Sequence, residues 1–194
     1  RLVKGAYWDT EIKLAQQKGL AGYPVWTRKE GTDTAYLACA RFLLSDHLRG
    51  LIWPQFATHN AHTLASVMTM SAHRDFGFQR LHGMGDALYN RLIKDKDVCV
   101  RIYAPVGSHK DLLPYLVRRL LENGANSSFV HRLVDARCPV SELVDHPVTT
   151  LKSRKTLRNP FINLPKDMFV DRKNSYGPNI EIESEWTPFK ASVD

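Results

Sequence analysis

The chain has 194 residues, 43% hydrophobic and 24% charged, which suits one domain or a piece of a larger one with an ordinary core. No apolar run approaches the ~20 residues that span a bilayer, and no secretory leader is visible; a first residue of Arg1 rather than Met reads as a fragment or a processed product. The net charge of +7 admits nucleic acid, an anionic membrane or an anionic ligand, but the basic residues are scattered. Only Lys152, Arg154, Lys155 and Arg158 cluster, as a solvated linker would, so no nucleic acid is expected on this segment. Cys39, Cys99 and Cys138 are irregularly spaced, which fits reduced cytosolic thiols, with Cys39 and Cys99 in apolar contexts that read as core.

In chain order, LVKGA at 2–6 reads as a short strand and is followed by an amphipathic helix from about Asp9 to Lys18, which Gly19 and Gly22 end. After a connecting segment at 23–31, Thr32 or Asp33 caps a helix to about Leu44. LIWPQFATHN at 51–60 is a second strand, with a helix from about Ala61 to Ser71. FGFQRLHGM at 76–84 is a third, with a helix from about Asp86 to Ile93, and VCVRIYAPVG at 98–107 is a fourth. The next helix starts at Ser108, a cap with Asp111 three residues on. Pro114 is read in the first turn or so and Gly124 at the stop. From about Asp135 the periodicity fades. A short helix near Ser141–Leu151 precedes a tail punctuated by prolines, with little core of its own.

The helix after the fourth strand has two unlike faces. At about 100° per residue, Tyr115, Arg118, Arg119 and Glu122 fall within roughly a 100° arc, while Leu113, Leu116, Val117, Leu120 and Leu121 take the opposite, core side. Most Arg and Glu at helical spacing are solvated surface. Here an aromatic ring shares the face, and Tyr103 ends the strand leading in. Paired arginines beside rings suit a planar carboxylate on an apolar body, so the residues point to a pocket for a small carboxylic acid.

Strands alternating with helices imply parallel βα units, about four of them, each strand ending in polar or glycine-rich residues. No dinucleotide fingerprint or phosphate-loop motif occurs. The expected fold class is α/β: the C-terminal half of a (β/α)₈ barrel over 1–134, followed by a short helix and linker over 135–194. His59 and His62 are spaced i, i+3, but no other ligands gather near them in sequence, so no metal is expected.

Several stretches resemble the proline dehydrogenase family: RLVKGAYWD at the start, FATHN at 56–60, QRLHGMG at 79–85, RIYAPVG at 101–107 and YLVRRLLENGANSSFV at 115–130. The likeness covers about residues 1–175 and is greatest to bacterial multifunctional members. Their barrel precedes a glutamate semialdehyde dehydrogenase domain on the same polypeptide. The resemblance implies FAD bound in a (β/α)₈ barrel and oxidation of L-proline to Δ¹-pyrroline-5-carboxylate, with hydride passing to the flavin N5 and electrons then to a membrane quinone. It places Arg118 and Arg119 on the proline carboxylate and Tyr103 and Tyr115 around the pyrrolidine ring. Arg1 would be catalytic, beside the flavin. Lys4, Gly5, Ala6, Thr58 and His59 would line the cofactor, with Trp8, Thr27, Lys29, Asn60, Gln79, Leu81 and Glu122 as weaker members of that shell. The implied partners are L-proline, the quinone, the absent N-terminal half of the barrel and the second catalytic domain, with a homo-oligomer left open. The implied location is cytoplasmic, peripherally membrane-associated during turnover. Because the earlier strands of the barrel are absent, the isolated chain is expected to be inactive. Two other readings are a non-catalytic barrel piece that works by association and an unrelated barrel enzyme acting on a phosphorylated acid.

Overall fold

The computed structural model describes residues 1–5, 7–95, 98–124 and 129–194, leaving aside the side chains at 95, 122–124 and 129–131. Its helices are α1 (Trp8–Gln17), α2 (Lys29–Leu43), α3 (Ala61–Met70), α4 (Asp86–Asp95), α5 (His109–Gly124), α6 (Phe129–Val134), α7 (Val140–Leu143), α8 (Pro147–Lys152) and α9 (Glu183–Val193). Its strands are β1 (Gln55–Ala57), β2 (Gly77–Leu81) and β3 (Cys99–Tyr103), and single 3₁₀ turns occupy Asp46–Leu48 and Pro165–Asp167. The described residues pack as two compact units, one of residues 1–6 and 29–157, the other of residues 7–28 and 158–194.

The first unit is built on a parallel sheet in the order β1-β2-β3. Register aligns Phe56, Phe78 and Val100 across the strands. These residues join Leu2, Tyr36, Leu37, Ala40, Leu44, Leu64, Val67, Phe76, Tyr89 and Leu92 in one core, so this face of the sheet is the one the helices cover. Side chains alternate along a strand. Gln55, Ala57, Gln79, Leu81, Arg101 and Tyr103 therefore share the other face. Adjacent parallel strands in sequence order, each followed by a helix, are what βα units produce. The chain is thus α/β with a parallel sheet, as expected.

Several boundaries differ from expectation. The strand read over 2–6 shrinks to a single parallel bridge between Leu2 and Phe56. Leu2 N donates to Gln55 O at 2.8 Å, and Ala57 N donates to Leu2 O at 3.0 Å. Gly5, at φ 93°, then turns the chain out of the extended region. The second strand is only three residues long, because Pro54 lacks a ladder donor and Leu51, Ile52 and Trp53 remain exposed. Helix α2 begins a turn before its expected cap. Lys29 and Asp33, spaced i, i+4, support the extra turn, so Asp33 lies inside the helix. Pro114 falls in the second turn of α5 rather than the first. The helix expected over 141–151 is two helices, because the residue before Pro147 is driven out of the α region; His146 has φ −70° and ψ 124° and caps α8 instead.

Three expectations about burial fail. Cys39 and Cys99 are exposed, not core. On α2 the inward positions are taken by Tyr36, Leu37 and Ala40, which leaves Cys39 outside, and Cys99 lies on the sheet face opposite the helices. The apolar side of α5 is also uncovered: Leu120 is 63% and Leu121 68% exposed. Its 3.6-residue pattern is real, but the described residues leave this side largely exposed.

The second unit is the less regular one. Its tail does fold against α1. Asn174 Nδ2 donates to Gln16 O at 2.6 Å and to Pro165 O at 3.0 Å. Gly19, at φ +59°, lets the backbone of Ser175 approach so closely that a Cβ there would meet its carbonyl oxygen at 1.8 Å. The tail ends in α9, a helix the sequence pattern did not announce. No helix among the described residues is long and apolar enough to cross a membrane.

Candidate functional site

Several of the expected residues lie at or just after the C-terminal ends of the strands of the first unit. After β3, Tyr103 packs edge-on against Tyr115 of α5, with ring centroids 6.2 Å apart at 87°. The Arg119 guanidinium lies over the Tyr115 ring at 5.2 Å, within cation–π range. One turn separates Tyr115 from Arg119, so helix geometry builds this stack directly. Tyr103, Tyr115 and Arg119 are half-buried, whereas Arg118 is exposed. The side chain of Glu122 lies outside the described residues.

After β1 the chain passes through Thr58, His59 and Asn60 into α3. Thr58 Oγ1 accepts from Asn60 N at 3.1 Å, and Asn60 Oδ1 accepts from Thr63 N at 3.0 Å, the N-cap of α3. The Asn60 side chain is therefore committed to the helix. His59 is different. Its Nε2 is buried and has no hydrogen-bond partner among the described residues. Burial, helped by the Arg80 charge, holds its pKa below the ordinary imidazole value, so the ring is neutral near pH 7. Gly85, at φ +71°, passes so near that a Cβ there would meet His59 Cδ2 at 3.0 Å. A buried ring nitrogen with no partner is costly unless something else fills the position.

On the central strand Gln79 and Leu81 are buried. Beneath them Tyr89 of α4 ties the strand ends, its hydroxyl donating to Thr58 O at 2.6 Å and lying 3.3 Å from Gln79 O. Arg80, buried on the helix face, pairs with Asp86 at 2.6 Å and donates to Met84 O at 3.0 Å. Arg1 is exposed and donates from Nε and Nη2 to Gln55 Oε1 at 3.3 and 3.2 Å. Gly5 supplies the left-handed turn already noted, and Ala6 lies outside the described residues.

Lys4 points to the helix side. Its Nζ donates to Asp33 Oδ1 at 2.5 Å and to Thr63 Oγ1 at 3.0 Å, and lies 4.9 Å from the centre of the Tyr36 ring. Lys29 Nζ donates to the other carboxylate oxygen of Asp33. Burial pushes the Lys4 ammonium pKa down, opposed by Asp33. Burial pushes the Asp33 carboxyl up, but Lys4 and Lys29 outweigh it and leave it below the ordinary value. Asp33, Arg80 and Tyr89 were not anticipated. The Lys29–Asp33 spacing was readable as a helical ion pair, whereas the approach of Lys4 depends on tertiary packing.

Trp8 and Thr27 belong to the second unit. Trp8 Nε1 donates to Trp26 O at 2.8 Å, and the indole lines a cleft of about 320 Å³ with Ile12, Gln16, Phe161, Ile162 and Met168. Thr27 Oγ1 accepts from Asn159 N at 2.9 Å. Among the described residues no three His, Cys, Asp or Glu side chains gather as metal ligands would.

The chain is 49% identical over 210 residues to the bifunctional protein PutA of Klebsiella aerogenes, covering 100% of this chain and 16% of that protein. It is 34% identical over 131 residues to the mitochondrial proline dehydrogenase 2 of Arabidopsis thaliana, covering 63% of this chain and 27% of that one. A crystal structure of a Bradyrhizobium japonicum Proline Utilization A mutant superposes with a TM-score of 0.90 at 55% identity, over 100% of this chain and 20% of that one. The chain thus spans about one sixth of the Klebsiella protein's length. The sequence profile of proline dehydrogenase matches residues 1–132, and the chain belongs to the proline dehydrogenase family.

Proposed function

We propose that this chain supplies one side of a flavin-dependent site for L-proline oxidation, as the C-terminal half of a (β/α)₈ barrel within a longer bifunctional polypeptide. The observation that carries the reading is the Tyr103–Tyr115–Arg119 stack at the end of β3, in a chain of this family. Arg119 and Arg118 grip the proline carboxylate, Arg119 with its plane already set by the Tyr115 ring. Tyr103 and Tyr115 pack around the pyrrolidine ring. Held in that way, the substrate would present Cδ, the ring carbon bonded to nitrogen on the side away from the carboxylate, for loss of hydride, and the ring nitrogen would give up its proton as the Cδ=N bond of Δ¹-pyrroline-5-carboxylate forms.

The residues fit a flavin nucleotide. His59 Nε2 is a buried polar atom awaiting a partner, and Gly5 brings backbone without a Cβ to the same strand ends. With Lys4, Ala6 and Thr58 they form the inner cofactor shell, with Lys29, Asn60, Gln79, Leu81 and Glu122 more peripheral. FAD, when bound, supplies the hydride acceptor at its N5 position. Arg1 favours the negative charge that reduction creates. A quinone at the membrane takes the electrons, from an enzyme that is cytoplasmic and peripherally attached. The glutamate semialdehyde dehydrogenase domain of the same polypeptide takes the product onward.

The test uses the full-length enzyme under anaerobic conditions, mixed with L-proline or with pyrrolidine, the same ring without its carboxylate. Proline should bleach the flavin absorbance rapidly and pyrrolidine far more slowly. Equal rates would remove the carboxylate clamp from the mechanism.

A further inference from the structure

Two lysines converge on the carboxylate of Asp33, which the sequence pattern offered only as a helix cap and to which the family resemblance gave no role. Asp33 holds Lys4 at 2.5 Å with one oxygen and Lys29 with the other. The side chains of Lys4 and Asp33 are each 17% exposed, and that of Lys29 is 44% exposed. A buried ammonium is tolerated only when paired, so Asp33 is what keeps Lys4 charged in place. One carboxylate for two ammoniums leaves one positive charge in surplus. Among the described residues Lys4 spends two of its three donors on Asp33 and Thr63, and it lies 4.9 Å from the centre of the Tyr36 ring.

Lys29 and Asp33 line a cleft of about 490 Å³ together with Asn60, His62 and Thr63 from the start of α3, and Lys4 lies behind that wall, donating to Thr63 Oγ1. On its other walls Arg132 pairs with Glu142 and Arg154 with Glu30, and Asp145 is the remaining acid. The surplus charge therefore lies at the lysine end.

We propose that Asp33 is a positioning residue for anion binding. It fixes Lys4 and Lys29 in one geometry and so presents their surplus charge to an anionic part of the flavin nucleotide without itself touching it. The inference rests on the flavin-binding reading of the two lysines. The anion is either the diphosphate of the nucleotide or the reduced ring, and both want a fixed cation.

The experiment uses the full-length apoenzyme with Asp33→Asn, Asp33→Glu, Lys4→Met and Lys29→Met, with circular dichroism of each as the fold control. FAD and ADP affinities are read by fluorescence titration, and the midpoint potential of the bound flavin by spectroelectrochemistry. Asp33→Asn should weaken FAD by at least about tenfold or lower the midpoint potential, and Asp33→Glu should restore most of the loss. Parallel losses for FAD and ADP identify the diphosphate. A lower potential at unchanged affinity identifies the reduced ring. If Lys4→Met and Lys29→Met weaken FAD while Asp33→Asn changes neither quantity, the role given to Asp33 is wrong. If all three are silent, the flavin reading of the lysines is wrong instead. Should Asp33→Asn not fold, the Lys4→Met/Asp33→Asn double variant removes both charges of the buried pair. It should bind FAD no more tightly than Lys4→Met, and recovery of wild-type affinity would overturn the proposal.

Discussion

At the scale of residues, neighbours on the same helix have different environments. Arg119 is half-withdrawn from solvent and lies 5.2 Å from the Tyr115 ring, while Arg118 is exposed. A guanidinium oriented before substrate arrives loses less freedom on binding, so Arg119 should contribute more to productive binding. In the full-length enzyme Arg119→Met should cost about 2–5 kcal/mol of kcat/KM, the range for a truncated charge pair. That is a loss of roughly 30-fold to several thousand-fold. Steady-state kinetics with proline would check it, and an unchanged kcat/KM would refute the clamp. Asp33 gives a pH prediction. Burial raises its pKa, but Lys4 and Lys29 prevail, so the folded value lies below that of the unfolded chain. A depressed carboxyl pKa means stability that is fully present above the unfolded value and lost as pH falls through the folded one. The gap in melting temperature between wild type and Asp33→Asn should therefore be largest near neutrality and shrink below about pH 4. A gap constant down to pH 2 would show that the ion pair contributes nothing to folding.

At the scale of elements, sequence signals worked where a local rule fixes the structure and failed where neighbours decide. The helix expected from about Ala61 does start there, and the Asn60 side chain caps it by accepting from Thr63 N. Helices α1, α4 and α5 begin within a residue or two of expectation. The strands fared worse, because apolar character marks burial rather than pairing: LIWPQFATHN is apolar for six residues but pairs for three. The face of α5 was legible as periodicity, yet the described residues leave it exposed. In the candidate site the Tyr115–Arg119 spacing was readable, whereas Asp33 looked like a helix cap because only tertiary packing brings Lys4 to it. Tyr89 is the clearest unread element-to-element link. Its hydroxyl joins α4 to the ends of β1 and β2. Tyr89→Phe keeps the ring in the core and removes the donor to Thr58 O and Gln79 O, so it should cost about 1–3 kcal/mol. A melting temperature equal to wild type would mean that water replaces the hydroxyl without loss.

At the scale of the whole molecule, the sheet has one face under helices and a second on which Gln79 and Leu81 of the central strand are buried but the edge strand β3 is open. Cys99 and Arg101 lie on the second face and are exposed, as are Ile102 at the far edge of β3 and the apolar side of α5. An unpaired strand edge beside exposed leucines is a template for association. In the barrel reading both surfaces are interior, closed by strands that the rest of the polypeptide contributes. Residues 1–194 expressed alone should then associate or melt without cooperativity, and should hold FAD weakly, because part of the cofactor shell lies on those other strands. Joined to the remaining strands, the same residues should give a soluble flavoprotein with a cooperative transition. Size-exclusion chromatography, the flavin spectrum and calorimetry on the two proteins make the comparison. A soluble monomer of the 194 residues that binds stoichiometric FAD and unfolds cooperatively would show that the open face is satisfied by the chain itself, and the half-barrel reading would fall.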